Sequence, residues 1–409
     1  MQGVKKIKKT GKTKNEKIRA EVTVYRGGFD RFFLILILIM VCAGTVMIFS
    51  ASYVKGRLVH DDKDSFVYVK NQLRMAGICI FFMTVMLAVT SFMDCALLIK
   101  FLKRAAVPVA AGVFVLNALT PAIGVTINGA TRWLVIAGWR FQPSELLKLA
   151  AVLFFALYID KMDKKMHRFK YGIGIPFGII LSILGIMFLQ SHISGLIIIC
   201  MIIIIMIFIG GASRAVIGGL MGVCAAGIVW ALIFKQQAIA AAKIVLGSRA
   251  GRIVSWLDPE SDPMRSGLQI IQSMYAIASG GISGLGFGQS RQKYLYLPEP
   301  QTDFIFSIIA EELGFIGSVL IIGLFVLLIW RGIIIAYRAP DKFSAFVVLG
   351  ITIKIAVQFI LNLFVVTNLI PNTGVPLPFF SYGGTSLVVL LMETGIILCI
   401  SRYSYQEKI

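Results

Sequence analysis

The stretch FFLILILIMVCAGTVMIFS, residues 32–50, decides the fold. It carries no charged side chain and comes close to the roughly 20 apolar residues a helix needs to cross a bilayer. ISGLIIICMIIIIMIFIGG, residues 193–211, repeats the pattern. Hydrophobic residues make up 58% of the 409-residue chain and charged residues 15%, with a mean hydropathy of +0.86. A soluble domain of this size has no use for so much apolar surface. The residues between the runs are too few for a separate soluble domain, so the expected fold is all-α and polytopic, as one membrane domain.

About ten spans are expected, near 32–52, 72–93, 104–122, 144–160, 171–190, 193–211, 214–234, 303–330, 343–370 and 385–401. This divides the chain into a basic tail (1–31), a transmembrane domain (32–401) with a long loop at about 235–302 between spans seven and eight, and a short tail (402–409). Orientation follows the lysines and arginines of short loops. Lys100, Lys103 and Arg104, then Lys161, Lys164, Lys165, Arg168 and Lys170, then Arg331, Arg338 and Lys342 fall on one side together with the N-terminal tail. That side is read as cytoplasmic. Much of the net charge of +20 lies in that tail, which reads as a solvated, disordered segment near anionic lipid and not as a nucleic-acid binder. The tail is too long, and the first apolar run too spanning, for a cleaved signal peptide. The six cysteines lie in or beside apolar runs without a CxxC spacing, and the three histidines lie far apart. Neither set makes a zinc motif; the cysteines read as small buried hydrophobes.

Three loops then share the outer face, around 128–143, 235–302 and 371–384. The long one holds Lys243, Arg249, Arg252, Arg265, Arg291 and Lys293. Long loops escape the positive-inside rule, yet so many cations suit an anionic partner such as a pyrophosphate, against the plainer reading of a solvated loop. Within it, SGLQIIQSMYAIA (266–278) has helical apolar spacing and is expected to lie on or dip into the membrane. GGISGLGFG (280–288) follows. Its glycines permit tight turns and close backbone approach; with no phosphate-loop lysine and no preceding strand, nucleotide binding is rejected.

The loop LYLPEPQTDFIF (295–306) delivers Asp303 to the start of a long apolar helix, at the level where a lipid-linked substrate presents its head. The plain role is a helix N-cap by Thr302 or Asp303. The chemical role is a general base, with a carboxyl group whose half-burial raises its pKa. Glu145 and Lys148, in FQPSELLK (141–148), share a helix face just after a Pro143–Ser144 helix start. They form either a local ion pair that eases insertion or two charges facing a polar cavity. Arg132, in NGATRWL (128–134), is close to them in sequence and on the same side. Deeper charges are Glu311, Glu312, Lys354 and Glu393. Lys354 and Glu393 lie at matching depths of roughly 12–17 Å from one helix end at 1.5 Å per residue, so they are expected to pair. PNTGVPLPFFSYGGTS (371–386) offers the hydroxyls of Ser381, Tyr382, Thr385 and Ser386 on a proline-stiffened backbone and reads as a site wall.

Four segments, NGATRWL (128–134), FQPSELLKL (141–149), GLGFGQSRQKYLYLPEPQTDFIFSIIAEELGF (284–315) and GVPLPFFSYGGTS (374–386), together resemble the SEDS family (shape, elongation, division and sporulation proteins). The resemblance spans essentially the whole membrane region. PEPQTDFIF (298–306) stands where the family often has PExHTDFIF and is more similar to the division and sporulation branch than to the elongation branch. It implies ten spans with both termini cytoplasmic and a place in the bacterial cytoplasmic membrane at the septum. It also implies a peptidoglycan glycosyltransferase that polymerises lipid II on the outer face. The family's essential aspartate matches Asp303, its functional acid and lysine match Glu145 and Lys148, and its arginine matches Arg132. Implied partners are a class B penicillin-binding protein and other divisome membrane proteins. One departure stands out. Where the family often has QPDLGT, this chain reads QSHISG (190–195), so either His192 replaces the aspartate or the position is structural.

In the chemistry that follows, Asp303 takes the proton of an acceptor hydroxyl and undecaprenyl pyrophosphate leaves. Arg265, Arg291, Lys293 or a divalent cation (Mg or Mn) stabilises the leaving charge; no organic cofactor is expected. With no obvious second acid, two-carboxylate glycosidase chemistry fits less well. The rivals are a lipid II flippase lined by Glu145, Lys148, Glu311 and Lys354, and a non-catalytic divisome scaffold. Against the flippase, no paired, Gly/Pro-interrupted spans of the inverted-repeat kind are seen.

Overall fold

The computed structural model describes residues 23–58, 64–92, 95–127, 130–136, 139–190, 192–246, 250–261 and 267–406. It is mostly helical. In chain order the helices are α1 Arg31–Leu58, α2 Val67–Phe92, α3 Cys95–Ile123, α4 Pro143–Met162, α5 Ile175–Leu189, α6 Ile193–Ile209 and α7 Arg214–Ile233. Then come α8 Lys235–Leu246, α9 Gly251–Leu257, α10 Leu268–Gly280, α11 Ile305–Tyr337, α12 Lys342–Val366 and α13 Gly384–Ser401. The expected short helix in the long loop is α10.

Among the described residues, seven helices are long and apolar enough to cross a membrane, or eight if the bent pair α7–α8 is one span. That is fewer than the expected ten, for local reasons. α4 carries Glu145, Lys148, Asp160 and Lys161 within 20 residues. The apolar run of α6 is short, and α7 meets α8 at a 113° bend. Large side chains such as Phe81, Phe82, Phe101, Leu181 and Phe315 point outward from the bundle, a surface suited to lipid. The chain is a multi-pass membrane protein.

α12 is the axis of the core. It packs on α4, α6, α10, α11 and α13, and most of its residues are buried. Its one buried charge, Lys354, is neutralised by Glu393 of α13 at 2.8 and 2.7 Å, the pairing expected from depth. At one end of the bundle Lys103 bridges Asp160 and Asp341 at 2.8 and 2.9 Å, and Lys342 pairs with Asp163. The short basic loops are thereby gathered on one face.

Two small sheets depart from the all-α expectation. β1 (Thr23–Arg26) pairs antiparallel with β5 (Tyr403–Gln406), bringing the two ends of the described chain together. β2 (Val125–Ile127), β3 (Ala130–Ile136) and β4 (Trp139–Phe141) form a three-stranded antiparallel sheet, which presents Arg132 from a hairpin. The β-branched and aromatic residues of VTI and ATRWLVI suit paired strands, although the segment is too short to stand out from a loop in sequence.

α11 is not one continuous helix. Gly314 breaks it with φ 67° and ψ −163°. The glycine-rich segment after α10 inserts at the break. Leu285 and Gly286 donate backbone N–H groups to the carbonyls of Glu311 and Glu312 at 2.9 and 3.0 Å, and Phe315 donates to Gly281 at 2.9 Å. Buried backbone groups must be paired, and here each broken segment satisfies the other. A Cβ on Gly284 would lie 2.2 Å from the Glu312 carbonyl oxygen. The glycines therefore serve close backbone approach within the fold.

Candidate active site

Asp303 sits one residue before Phe304, the N-cap of α11, and no side chain caps that helix. The capping role therefore falls away. Its carboxylate is half-buried and accepts no hydrogen bond from any described residue, while its backbone carbonyl is fixed by Asn362 Nδ2 of α12 at 2.7 Å. The same amide nitrogen reaches the Val375 carbonyl at 2.7 Å, so one buried side chain clamps both loops that form the site. Gly374, at φ +65°, stands directly over the acid; a Cβ there would be 3.0 Å from Asp303 Oδ2. Glu299 and Phe379, one on each loop, hold positive φ of 51° and 65°, the sort of backbone strain that persists only where the surroundings enforce it.

Burial pushes the Asp303 carboxyl up to about 6, and the nearby Glu299 charge adds to the rise; Arg132 and Arg252 pull against it. Arg132 is itself pushed down by burial and by Arg252, and its Nε is buried without a partner. Two guanidinium groups thus converge on one carboxylate. Arg252 was legible only as one of the loop cations; its place near Asp303 depends on α9, a seven-residue helix. Asn362 was missed outright, because an asparagine inside an apolar helix carries no signal of which carbonyls it will meet.

Glu145 and Lys148 are buried and paired at 2.7 Å, one turn into α4. A cavity of about 20 Å³ lies between Glu145, Lys354 and Gln358 on one side and Leu377, Ser381 and Ser386 on the other, room for a water or two. Ser381 donates to the Thr302 carbonyl at 2.6 Å and accepts from the Leu377 N–H at 2.7 Å. The Tyr382 N–H donates to the Gln301 carbonyl at 2.8 Å, and its ring packs edge-on to Tyr68. Thr385 donates to the Arg140 carbonyl at 3.0 Å. These residues stitch the 371–386 loop to the Asp303 loop and to the hairpin.

The remaining loop cations divide. Arg265 lies outside the described residues. The Arg291 backbone N–H donates to Glu311 at 3.0 Å while its side chain is exposed. Lys293 is buried; its ammonium donates to Glu312 at 3.0 Å and to the Gly288 carbonyl at 2.6 Å, so it is engaged in holding the loop. Glu311 and Glu312, in turn, accept from Ser290, Gln292 and Ser50. His192 is buried 3.5 Å from Gln142, and burial together with Arg132 pushes its imidazole down to about 3. It is neutral and supplies no substitute for a carboxylate charge. Among the described residues no three His, Cys, Asp or Glu side chains are grouped to hold a metal ion.

A protein-family model described as "Cell cycle protein", that of FtsW, RodA and SpoVE, matches residues 30–406. The chain is 40% identical over 382 residues to stage V sporulation protein E of Bacillus subtilis (strain 168), covering 92% of this chain and 97% of that one. It is 37% identical to a probable peptidoglycan glycosyltransferase FtsW of Geobacter sp. (strain M18), covering 91% and 97%. Among solved structures it is similar to a chain of a peptidoglycan synthase complex that coordinates polymerization and crosslinking. There the TM-score is 0.69 at 28% identity, over 91% of this chain and 98% of that one. Thermus thermophilus rod shape determining protein RodA shares the fold, with a TM-score of 0.63 at 24% identity over 91% and 97%.

Proposed function

The chain belongs to the SEDS family, that of FtsW, RodA and SpoVE, and from this membership we propose that it is a peptidoglycan glycosyltransferase that polymerises lipid II into glycan strands. The observation that carries the mechanism is the acid–arginine cluster. Asp303 is held by its backbone, free at its carboxylate and raised toward neutrality. A base poised near the working pH is effective. Ionised Asp303 accepts the proton of the acceptor sugar hydroxyl as that oxygen attacks the anomeric carbon of the donor. The bond to undecaprenyl pyrophosphate breaks, and the diphosphate leaves with the bonding pair. Arg132 and Arg252, whose planar forks match phosphate oxygens, stabilise that charge. A diphosphate leaving group needs little protonation, which suits a site where Asp303 is the one carboxylate without a hydrogen-bond partner among the described residues. A divalent cation would add charge at the diphosphate. The described residues do not group into a site for it.

Glu145 and Lys148 act from behind the loops. Their buried pair, with Lys354 and Glu393, backs the small cavity beneath Ser381 and holds the 371–386 wall in place. Lys293 serves the loop through Glu312; the Arg291 side chain stays exposed.

The membrane arrangement of this reading has ten spans, α1 to α7 and α11 to α13, with residues 235–302 as the external loop. The β1–β5 pairing, which joins the two described chain ends, supports an even number of crossings. The basic short loops make that side cytoplasmic. The partners are lipid II, a class B penicillin-binding protein and divisome membrane proteins, at the septum.

Purified protein would be mixed with labelled lipid II and its cognate class B penicillin-binding protein, with the transpeptidase blocked. Glycan ladders are expected. Lipid II scrambling in vesicles without ladders would replace this reading with the flippase, and neither activity would leave the scaffold.

A further inference from the structure

At the far end of α11, roughly 40 Å of helix from Asp303 at 1.5 Å per residue, a cavity of about 390 Å³ opens between the starts of α1, the end of α11 and the end of α13. Three arginines line it, Arg31, Arg331 and Arg338, against one acid, Asp30. That acid is fully used. Its Oδ2 accepts from Arg331 Nε and lies 2.8 Å from Nη2, and its Oδ1 accepts from the Phe33 N–H at 2.9 Å. Arg31 and Arg338 are exposed and have no acidic partner among the described residues. Among the described residues, the cavity therefore carries a net positive charge.

Beside Ser401 and Tyr403, part of its wall is apolar. Ile334 and Ile335 line it, and the Arg331 guanidinium lies 5.7 Å over the Phe32 ring. On the outside, Ile35, Trp330, Ile333 and Tyr337 are 53%, 53%, 48% and 90% exposed, a greasy surface running up from the arginines. A soluble anion needs no such surface. A molecule with a phosphate at one end and acyl chains at the other matches both parts. The chain's own residues 1–22 are a poor occupant, being strongly cationic themselves.

We propose that this cavity binds the phosphate headgroup of an anionic membrane phospholipid, with Arg31 and Arg338 on the phosphate and the acyl chains against Ile35, Trp330 and Ile333. The assignment rests on the membrane placement given above. Basic pockets between membrane helices on the cytoplasmic side recognise anionic headgroups in this way. Arg331, tied to Asp30, orients the wall.

The test is native mass spectrometry of the purified full chain with phosphatidylglycerol or phosphatidylcholine, for wild type, R31Q/R338Q and R31K/R338K. Wild type is expected to retain phosphatidylglycerol on the order of tenfold better. R31Q/R338Q should lose that preference and R31K/R338K should keep most of it. An excess of inorganic phosphate should not displace the lipid. Equal retention of both lipids by wild type, or an unchanged preference in R31Q/R338Q, would overturn the proposal. Displacement by inorganic phosphate would overturn the lipid and leave a soluble-anion site. Lipid II polymerisation by the same samples should be equal in wild type and R31Q/R338Q. Ladders without lipid preference would refute this site alone, whereas absent ladders would count against the glycosyltransferase reading.

Discussion

Asp303 combines three properties that seldom meet by accident: a fixed backbone, a free carboxylate and a pKa pushed up to about 6. As a base it acts only when ionised, so kcat/KM should rise with pH through about 6 and then level. The neighbours set the sign of any shift. Glu299 raises the carboxyl, so Glu299→Gln should move the rising limb to lower pH. Arg132 lowers it, so Arg132→Gln should move the limb to higher pH while also reducing the plateau. A pH–rate series on the three proteins checks this; limbs that do not move would remove Asp303 as the titrating group. The acid itself was legible in sequence, because a polar, proline-bracketed loop ahead of an apolar helix isolates it. Arg252 and Asn362 were not, since their roles exist only once α9 and α12 are packed against the loop.

Two elements carry expectations of their own. The Lys354–Glu393 bridge joins α12 to α13 in the core. Removing one partner of a buried pair typically costs about 3–5 kcal/mol, whereas replacing both by apolar residues is often near neutral. Lys354→Met should therefore lower the thermal midpoint of the purified protein strongly, and Lys354→Met with Glu393→Leu should recover most of it. No recovery would show that the two charges are not simply each other's partners. The second element is the glycine segment lodged in the broken α11. Gly284→Ala puts a Cβ 2.2 Å from the Glu312 carbonyl oxygen, at a φ of +80°. It should lower both stability and activity, with Gly288→Ala as a control at a position where a Cβ meets nothing within 4 Å but φ is also positive. Equal effects would assign the loss to backbone strain and not to the inserted segment. Sequence showed α10 by its apolar spacing and the glycines by their density. It gave no sign of the break at Gly314, because a single glycine inside a helical run does not mark a break and only the inserted loop supplies the hydrogen bonds that make it tolerable.

At the scale of the whole molecule, the apolar runs announced a membrane bundle, yet the number of crossings was harder to read. The charges in α4, the short apolar run of α6 and the bend after α7 each weaken the signal of a span. The β1–β5 pairing favours an even count, as in the proposed ten-span arrangement. A fluorescent protein fused to the C-terminus should light up inside cells, and a phosphatase inserted after Tyr296 should be active outside; the reverse pattern at either site would refute the ten-span arrangement. The central claim is that Asp303 is the base of a lipid II polymerase. Its most direct test compares wild type with an equally folded Asp303→Asn variant, each with the partner penicillin-binding protein and its transpeptidase blocked. Wild type should produce glycan ladders while the variant falls by about 10²–10⁴-fold; ladders of equal length and rate from both would contradict it.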